Sequence, residues 1–251
     1  MGPIEVSKES GADVGPHPHM GLQTVTWLLE GAALHRDSLG SEQLITPGQL
    51  NLMTAGFGVA HAEEVTGHHR GGLHGIQLWI AQPESTRSST AAFEHHAQLP
   101  RVELPGAVVT ILLGELLGET SLARHDSPLV GAELVLHGGA AVPLERSFEH
   151  AVIVLDGSLG IDGHPLIPGR LGFLEAGREE VVLDADTATA MLIGGEPFAE
   201  QIFMWWNFVA RTREEIDAAY VSWRGDDGRF GRVASTLSRI ETKAPYWQPA
   251  H

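Results

Sequence analysis

Pro47-Gly48-Gln49-Leu50-Asn51-Leu52-Met53-Thr54-Ala55-Gly56 recurs later in the chain, without a gap, as Pro168-Gly169-Arg170-Leu171-Gly172-Phe173-Leu174-Glu175-Ala176-Gly177. Upstream of each stretch stands a second anchor, Leu29-Glu30-Gly31 in the first copy and Leu155-Asp156-Gly157 in the second. The loop between the two anchors is five residues shorter in the second copy. A Pro-Gly turn alone recurs by chance, whereas two anchors in the same order indicate a duplication. Each copy reads as a small β-barrel. The boundary is expected between Gly114 and Ser127, giving a first domain over 1–117 and a second over 118–251.

The rest of the pattern is all-β. Val25 to Leu29, Leu73 to Ile80, Val108 to Leu113, Val152 to Leu155 and Val181 to Leu183 are apolar, β-branched runs of strand length. Turn signals at Pro47-Gly48, Asp162-Gly163 and Pro168-Gly169 punctuate them. One late helix stands out. Thr212 can cap it, Glu214 and Glu215 suit its first turn, and Ile216, Ala219, Tyr220 and Trp223 share one face.

Composition removes several function classes. With no cysteine among 251 residues, disulfides, thiolate catalysis and zinc ribbons are excluded, and any metal is held by nitrogen and oxygen. A formal charge of −16 argues against direct nucleic-acid binding, which is built largely on Lys and Arg. No apolar run reaches the roughly 18–20 residues needed to cross a bilayer. The start, Met1-Gly2-Pro3-Ile4-Glu5-Val6, lacks the basic and apolar regions of a secretory leader. A cytoplasmic, monomeric protein is the expectation.

Against this background two short pairs carry chemistry, His17-Pro18-His19 and His61-Ala62-Glu63. On a strand, positions i and i+2 face the same way. Two such strands side by side aim three imidazoles and one carboxylate at one point, a first shell for a divalent first-row metal. Fe(II), Mn(II), Ni(II), Cu(II) and Zn(II) all suit such donors. Glu63 has a second role open to it, because a carboxylate beside the metal can take a proton from an incoming hydroxyl. Glu64 falls on the opposite face and reads as solvated.

The duplication supplies an internal control. Carried across in the simplest register, His17 and His19 fall on Pro143 and Glu145, and His61 and Glu63 fall on Val182 and Asp184. The second barrel is therefore expected to be metal-free. The remaining histidines take plainer readings. His68-His69 and His95-His96 read as surface, and His35 supports a turn. His74 shares a strand face with Ile76 and Leu78 and is a candidate for the barrel interior. The Gly225 to Gly231 segment reads as a solvated loop, and Met204-Trp205-Trp206-Asn207-Phe208 as packing between barrel and helix.

Taken in order, these residues resemble the pirin family of the cupin superfamily. The likeness runs through Pro16-His17-Pro18-His19-Met20-Gly21, His35-Arg36-Asp37-Ser38-Leu39-Gly40, Met53-Thr54-Ala55-Gly56 and His61-Ala62-Glu63. It continues through Leu73-His74-Gly75-Ile76-Gln77-Leu78-Trp79, Gly194-Gly195-Glu196-Pro197 and Trp206-Asn207-Phe208. The resemblance implies two cupin barrels packed face to face, a bicupin, with iron as Fe(II) in the first. It places His17, His19, His61 and Glu63 as the metal ligands. General cupins often carry a glutamate ligand where this chain has Gln23; in pirins the Glu63 position serves, and Gln23 is then suited to orienting water or substrate. Pirins also carry more residues before the His-Pro-His segment than the sixteen here, which bears on how the first barrel closes.

The activity implied by the resemblance is that of a metal-dependent dioxygenase acting with O2 on a small aromatic substrate, of the quercetin 2,3-dioxygenase type. Glu63 would then help remove the flavonol 3-hydroxyl proton. The alternative implied by other pirins is a metal- or redox-sensitive regulator that works through a protein partner without turnover.

Overall fold

The computed structural model describes residues 2–7 and 12–248. Its elements in the first part of the chain are β1 Ile4–Val6, β2 Val14–His19, β3 Leu22–Glu30, β4 Ala33–Asp37, β5 Glu42–Ile45, β6 Leu50–Thr54, β7 Val59–Glu64, β8 Gly71–Ala81 and β9 Ala92–His96. Then come β10 Arg101–Leu104, β11 Ala107–Leu113, β12 Glu115–Leu116, β13 Glu119–Thr120, β14 Leu129–Leu136, β15 Ala140–Pro143, β16 Glu149–Gly157, β17 Leu159–Ile161, β18 His164–Leu166, β19 Leu171–Leu174, β20 Glu180–Asp184 and β21 Ala188–Gly195. A hairpin of β22 Phe203–Trp205 and β23 Phe208–Ala210 leads into α1 Arg213–Gly225. Every strand and the helix expected from the sequence lie inside these elements.

The duplication is visible in the sheets. The first barrel pairs a sheet ordered β1-β8-β3-β6-β9 with one ordered β2-β7-β4-β5. The second repeats the scheme as β10-β11-β14-β21-β16-β19 and β15-β20-β17-β18. Both anchors hold their places. Thr24 pairs with Met53 as His150 pairs with Leu174, and a bulge breaks β3 between Leu28 and Glu30 as it breaks β16 between Val154 and Asp156. Each Pro-Gly turn has its glycine at positive φ, +82° at Gly48 and +80° at Gly169, where a side chain would be strained.

The domain limits differ from the sequence expectation of 1–117 and 118–251. The chain divides into Met1–Ala97 with Glu200–His251, and Gln98–Ala199. The first junction falls earlier because β10 and β11 pair through β14 into the second barrel's sheet. The segment from Glu200, helix included, belongs to the first unit. There Phe208, Ile216, Ala219, Tyr220, Trp223 and Phe230 form one buried cluster with Met20 and Ala60. Each large side chain so buried is worth about 1.5–3 kcal/mol. The aromatic run packs as expected, with Trp205 edge-on to Tyr220 and Trp206 near Trp223. The Gly225 to Gly231 segment is not a plain solvated loop, since Phe230 is buried and Arg229 lies 4.0 Å from the centre of the Phe57 ring.

This cover explains a difference between equivalent strands. β20 alternates exposed and buried residues, the signature of a strand with one wet face. In β7 the first four residues are all buried, because the outward Ala60 lies under the helix cluster. The second barrel has a continuous apolar core, including Val109, Ile111, Leu134, Val152, Leu183 and Leu192.

The helix is held at its start by Glu215. Thr212 accepts a hydrogen bond from the Glu215 N–H at 3.2 Å. The Glu215 carboxylate accepts from the Arg211 N–H at 2.8 Å and from Arg87 at 2.9 Å. Burial opposes the charged carboxylate, but the Arg211 N–H and the Arg87 guanidinium outweigh it and hold Glu215 below the ordinary glutamate range. A depressed folded pKa stabilises the fold above the unfolded value, about 4.3, and the gain is lost as pH falls through the folded value. Glu215→Gln is expected to lower stability by about 1 kcal/mol at neutral pH in denaturant titration, a modest figure because the pair is partly solvent-screened. The gap between variant and parent should start to close as pH falls below about 4.3 and be gone below the folded value; a gap that stays constant through acid titration would contradict this account.

Candidate metal centre

The site begins with the β2–β7 ladder. A bulge between Val14 and His17 sets the register so that His17 stands directly opposite His61, with His19 opposite Val59. Alternation then turns His17, His19 and His61 to the inner face of the barrel. Pro18 lies between the two β2 histidines, opposite Ala60.

The three imidazoles converge. Their ligand atoms all lie within 4.8 Å of one another. Ring centres are 4.3 Å apart for His17 and His61, 4.9 Å for His19 and His61, and 5.0 Å for His17 and His19. All three are buried, at 8%, 0% and 1% exposure respectively for His17, His19 and His61. Burial pushes each imidazole toward its neutral form, and each of the three also feels at least one neighbouring histidine. Neutral rings keep the lone pairs that a metal needs.

The donor geometry fits an ion. Nε2 of His19 and Nε2 of His61 are 3.0 Å apart. Two nitrogens at a right angle about one ion, each about 2.1 Å from it, stand about 3.0 Å from each other. His17 is oriented separately: its Nδ1–H donates to the Gly15 carbonyl at 2.9 Å, which leaves the lone pair on Nε2.

Glu63 lies two residues beyond His61 on β7, on the same face, and its charge favours protonation of His17. It is not one of the three residues that converge within 4.8 Å. Its Oε1 accepts a hydrogen bond from Gln77 Nε2 at 2.6 Å, and Gln77 also reaches Thr26 Oγ1 at 3.3 Å. Thr24, Thr26, Asn51, Gln77 and His95 continue this polar lining, with His95 held to Asn51 at 2.8 Å. Trp79 stands edge-on to His19 at 5.2 Å.

The second barrel shows what fills the same places without a site, and here the simple register needs correction. Pro143, Glu145, Val182 and Asp184 all face outward and are exposed. The turn after β2 is one residue shorter than its counterpart, since Thr24 follows His19 by five residues and His150 follows Leu144 by six. The turn before β7 is one residue longer, since His61 follows Met53 by eight and Val181 follows Leu174 by seven. A one-residue slip moves a side chain to the other face. The inward equivalents of His17, His19, His61 and Glu63 are Val142, Leu144, Val181 and Leu183, all buried and apolar.

Other site readings also change. His74 lies on the face of β8 opposite Gln77, so it does not line the interior. Gln23 is buried on the outer face of β3, where its amide donates to Thr54. Glu64 is not solvated: Ser235 donates to it at 2.6 Å, with Arg36 3.5 Å away. His95 and His96 lie on β9, half-buried, rather than on the surface. His68 keeps a peripheral place, 3.9 Å from Glu64.

Sequence reasoning missed the depth of His35 and Asp37. Both are buried on β4, and Asp37 stands opposite His61. His35 stacks on Phe93 at 4.3 Å and 12°. The signal was present, because His35-Arg36-Asp37 has the same i, i+2 spacing as the two pairs already recognised.

A β-barrel of this jelly-roll topology, repeated in one chain with a buried histidine cluster in the first copy, defines a bicupin. The chain matches the Pirin family over residues 1–80 and the Pirin C-terminal cupin domain over residues 131–231, and it belongs to the pirin family. A Pseudomonas aeruginosa protein named as a candidate quercetin 2,3-dioxygenase is 46% identical over 235 residues, spanning 92% of this chain and 74% of its own length. Human pirin is 30% identical over 235 residues, spanning 89% and 80%. A crystal structure of quercetin 2,3-dioxygenase from Acinetobacter baumannii superposes with a TM-score of 0.94 at 41% identity, covering 99% of this chain and 84% of that one.

His61→Ala is expected to lose most of the divalent metal bound per chain, by more than the roughly 10–100-fold in affinity typical of outer contacts. His68→Ala should keep it. Elemental analysis after dialysis checks both, and equal losses would defeat the ligand set.

Proposed function

We propose that this protein is a pirin-type dioxygenase that holds Fe(II) on His17, His19 and His61 with Glu63, and acts with O2 on a flavonol-like aromatic substrate. The observation that carries the reading is the buried convergence of three imidazoles in a barrel whose twin carries valine and leucine in those places. The names of the Pseudomonas and Acinetobacter relatives support the substrate class. The donor set suits several first-row ions, and iron is the one that the family resemblance implies.

An ion bound there would supply Lewis acidity toward a deprotonated hydroxyl and, as iron, the redox chemistry that O2 requires. The protein's own residues do the rest. His17 presents Nε2 because Gly15 holds its other nitrogen. Gln77 fixes one oxygen of Glu63, leaving the second to take a proton from a substrate hydroxyl within hydrogen-bond reach. The polar lining from Thr26 and Asn51 offers donors and acceptors to an oxygen-rich ligand, while Trp79 offers an aromatic face. Burial of the cluster keeps bulk water from competing for the same donors.

Anaerobic reconstitution with Fe(II), followed by oxygen-uptake and product analysis across a flavonol panel, tests this. Uptake matched by loss of flavonol is expected from the metal-loaded protein and not from the metal-free one. Glu63→Gln should hold the metal more weakly and, at saturating Fe(II), slow turnover by about 10²–10⁴-fold, the usual worth of a positioned general base. Absence of uptake by the fully loaded parent would sink the assignment for those substrates.

A further inference from the structure

We propose that His35 and Asp37 are positioning residues that set the tautomer of His61 and so present its Nε2 to the metal. The proposal rests on the metal reading of the cluster and assigns a task to two buried groups that this reading leaves unused.

The geometry forms a directed chain. Asp37 is 2% exposed, and its Oδ1 accepts from the N–H groups of Leu39 and Ser41 at 2.9 and 3.0 Å. Its Oδ2 faces His35 Nε2 at 3.0 Å. An ionised carboxylate only accepts, so the Nε2 of His35 carries a proton. In a neutral His35 this leaves Nδ1 as an acceptor. Nδ1 of His61 lies 3.4 Å from it and is the donor. With its proton on Nδ1, His61 has its lone pair on Nε2, the atom that converges with His19. The 12° stack on Phe93 holds the His35 ring in this orientation.

A structural role alone does not account for the pair. In the second barrel the inward position equivalent to His35 is Ile161, paired with Leu183 as His35 pairs with Glu63. That barrel closes with an apolar residue there, and it lacks the histidine cluster. The relay and the ligands are present together in one copy and absent together in the other.

Asp37→Asn provides a sharp test because it preserves shape and reverses direction. The two N–H groups of Leu39 and Ser41 would draw the amide oxygen to the Oδ1 place, leaving the NH2 to donate to His35 Nε2. His35 would then carry its proton on Nδ1, and His61 on Nε2, against the metal. Nitrogen-15 NMR of the metal-free protein should show His61 protonated on Nδ1 in the parent and on Nε2 in Asp37→Asn. Fe(II) or Zn(II) affinity in the full chain should fall about 10–100-fold in the variant, with circular dichroism unchanged. His35→Phe keeps the ring stack but removes the acceptor, and should weaken metal binding similarly; it serves if Asp37→Asn does not fold. Parent His61 protonated on Nε2, or metal affinity unchanged in the variants, would overturn the proposal. The tautomer is read without metal or substrate, so its failure leaves the dioxygenase reading standing, and inactivity on flavonols leaves the tautomer result standing.

Discussion

The register of β2 against β7 is the constraint on which this site depends. One bulge, between Val14 and His17, puts His17 opposite His61 and turns three imidazoles to one side. A slip of one residue in either strand would send its histidines to the outer face. That face is already committed in the first unit, where Ala60 and Met20 lie under Phe208, Trp223 and Phe230. The register is thus fixed twice, by the polar groups that converge inside and by the apolar cover outside. A helix about 150 residues further along the chain takes part in placing His61, through the backbone of the strand it covers.

Much of this was legible in the sequence. The repeated Pro-Gly stretch located equivalent strands, and its anchors survive in the structure as matched pairings and a matched bulge. Thr212 and Glu215 announced the helix start, because capping is local chemistry. Two things were less legible. A gap of one residue in a turn leaves no trace in a short alignment, yet it decides which face a strand shows. That is why the simple register chose Val182 and Asp184 instead of Val181 and Leu183. The return of the C-terminal segment to the first unit was also hidden, since it depends on long-range burial rather than on local pattern.

The two barrels together separate what the fold requires from what the chemistry requires. Val142, Leu144, Val181 and Leu183 fill the second barrel with ordinary apolar packing. Nothing in the architecture therefore calls for His17, His19, His61 and Glu63. Burying three imidazoles and half-burying a carboxylate costs desolvation that valine and leucine avoid. The directions of the imidazole pKa shifts record that cost, since burial is the leading cause for each.

That cost is offset where each polar atom has a defined partner. Gly15 holds His17, Gln77 holds Glu63, and Asn51 holds His95. His19 and His61 instead point Nε2 at Nε2 across 3.0 Å, a contact in which two neutral rings share at most one proton. An ion between them would let both lone pairs act as donors at once. The same contact therefore links stability to chemistry: the two rings that face each other across it are the pair best placed to bind a metal. The polar lining beside it then has a reason to exist that packing alone does not provide.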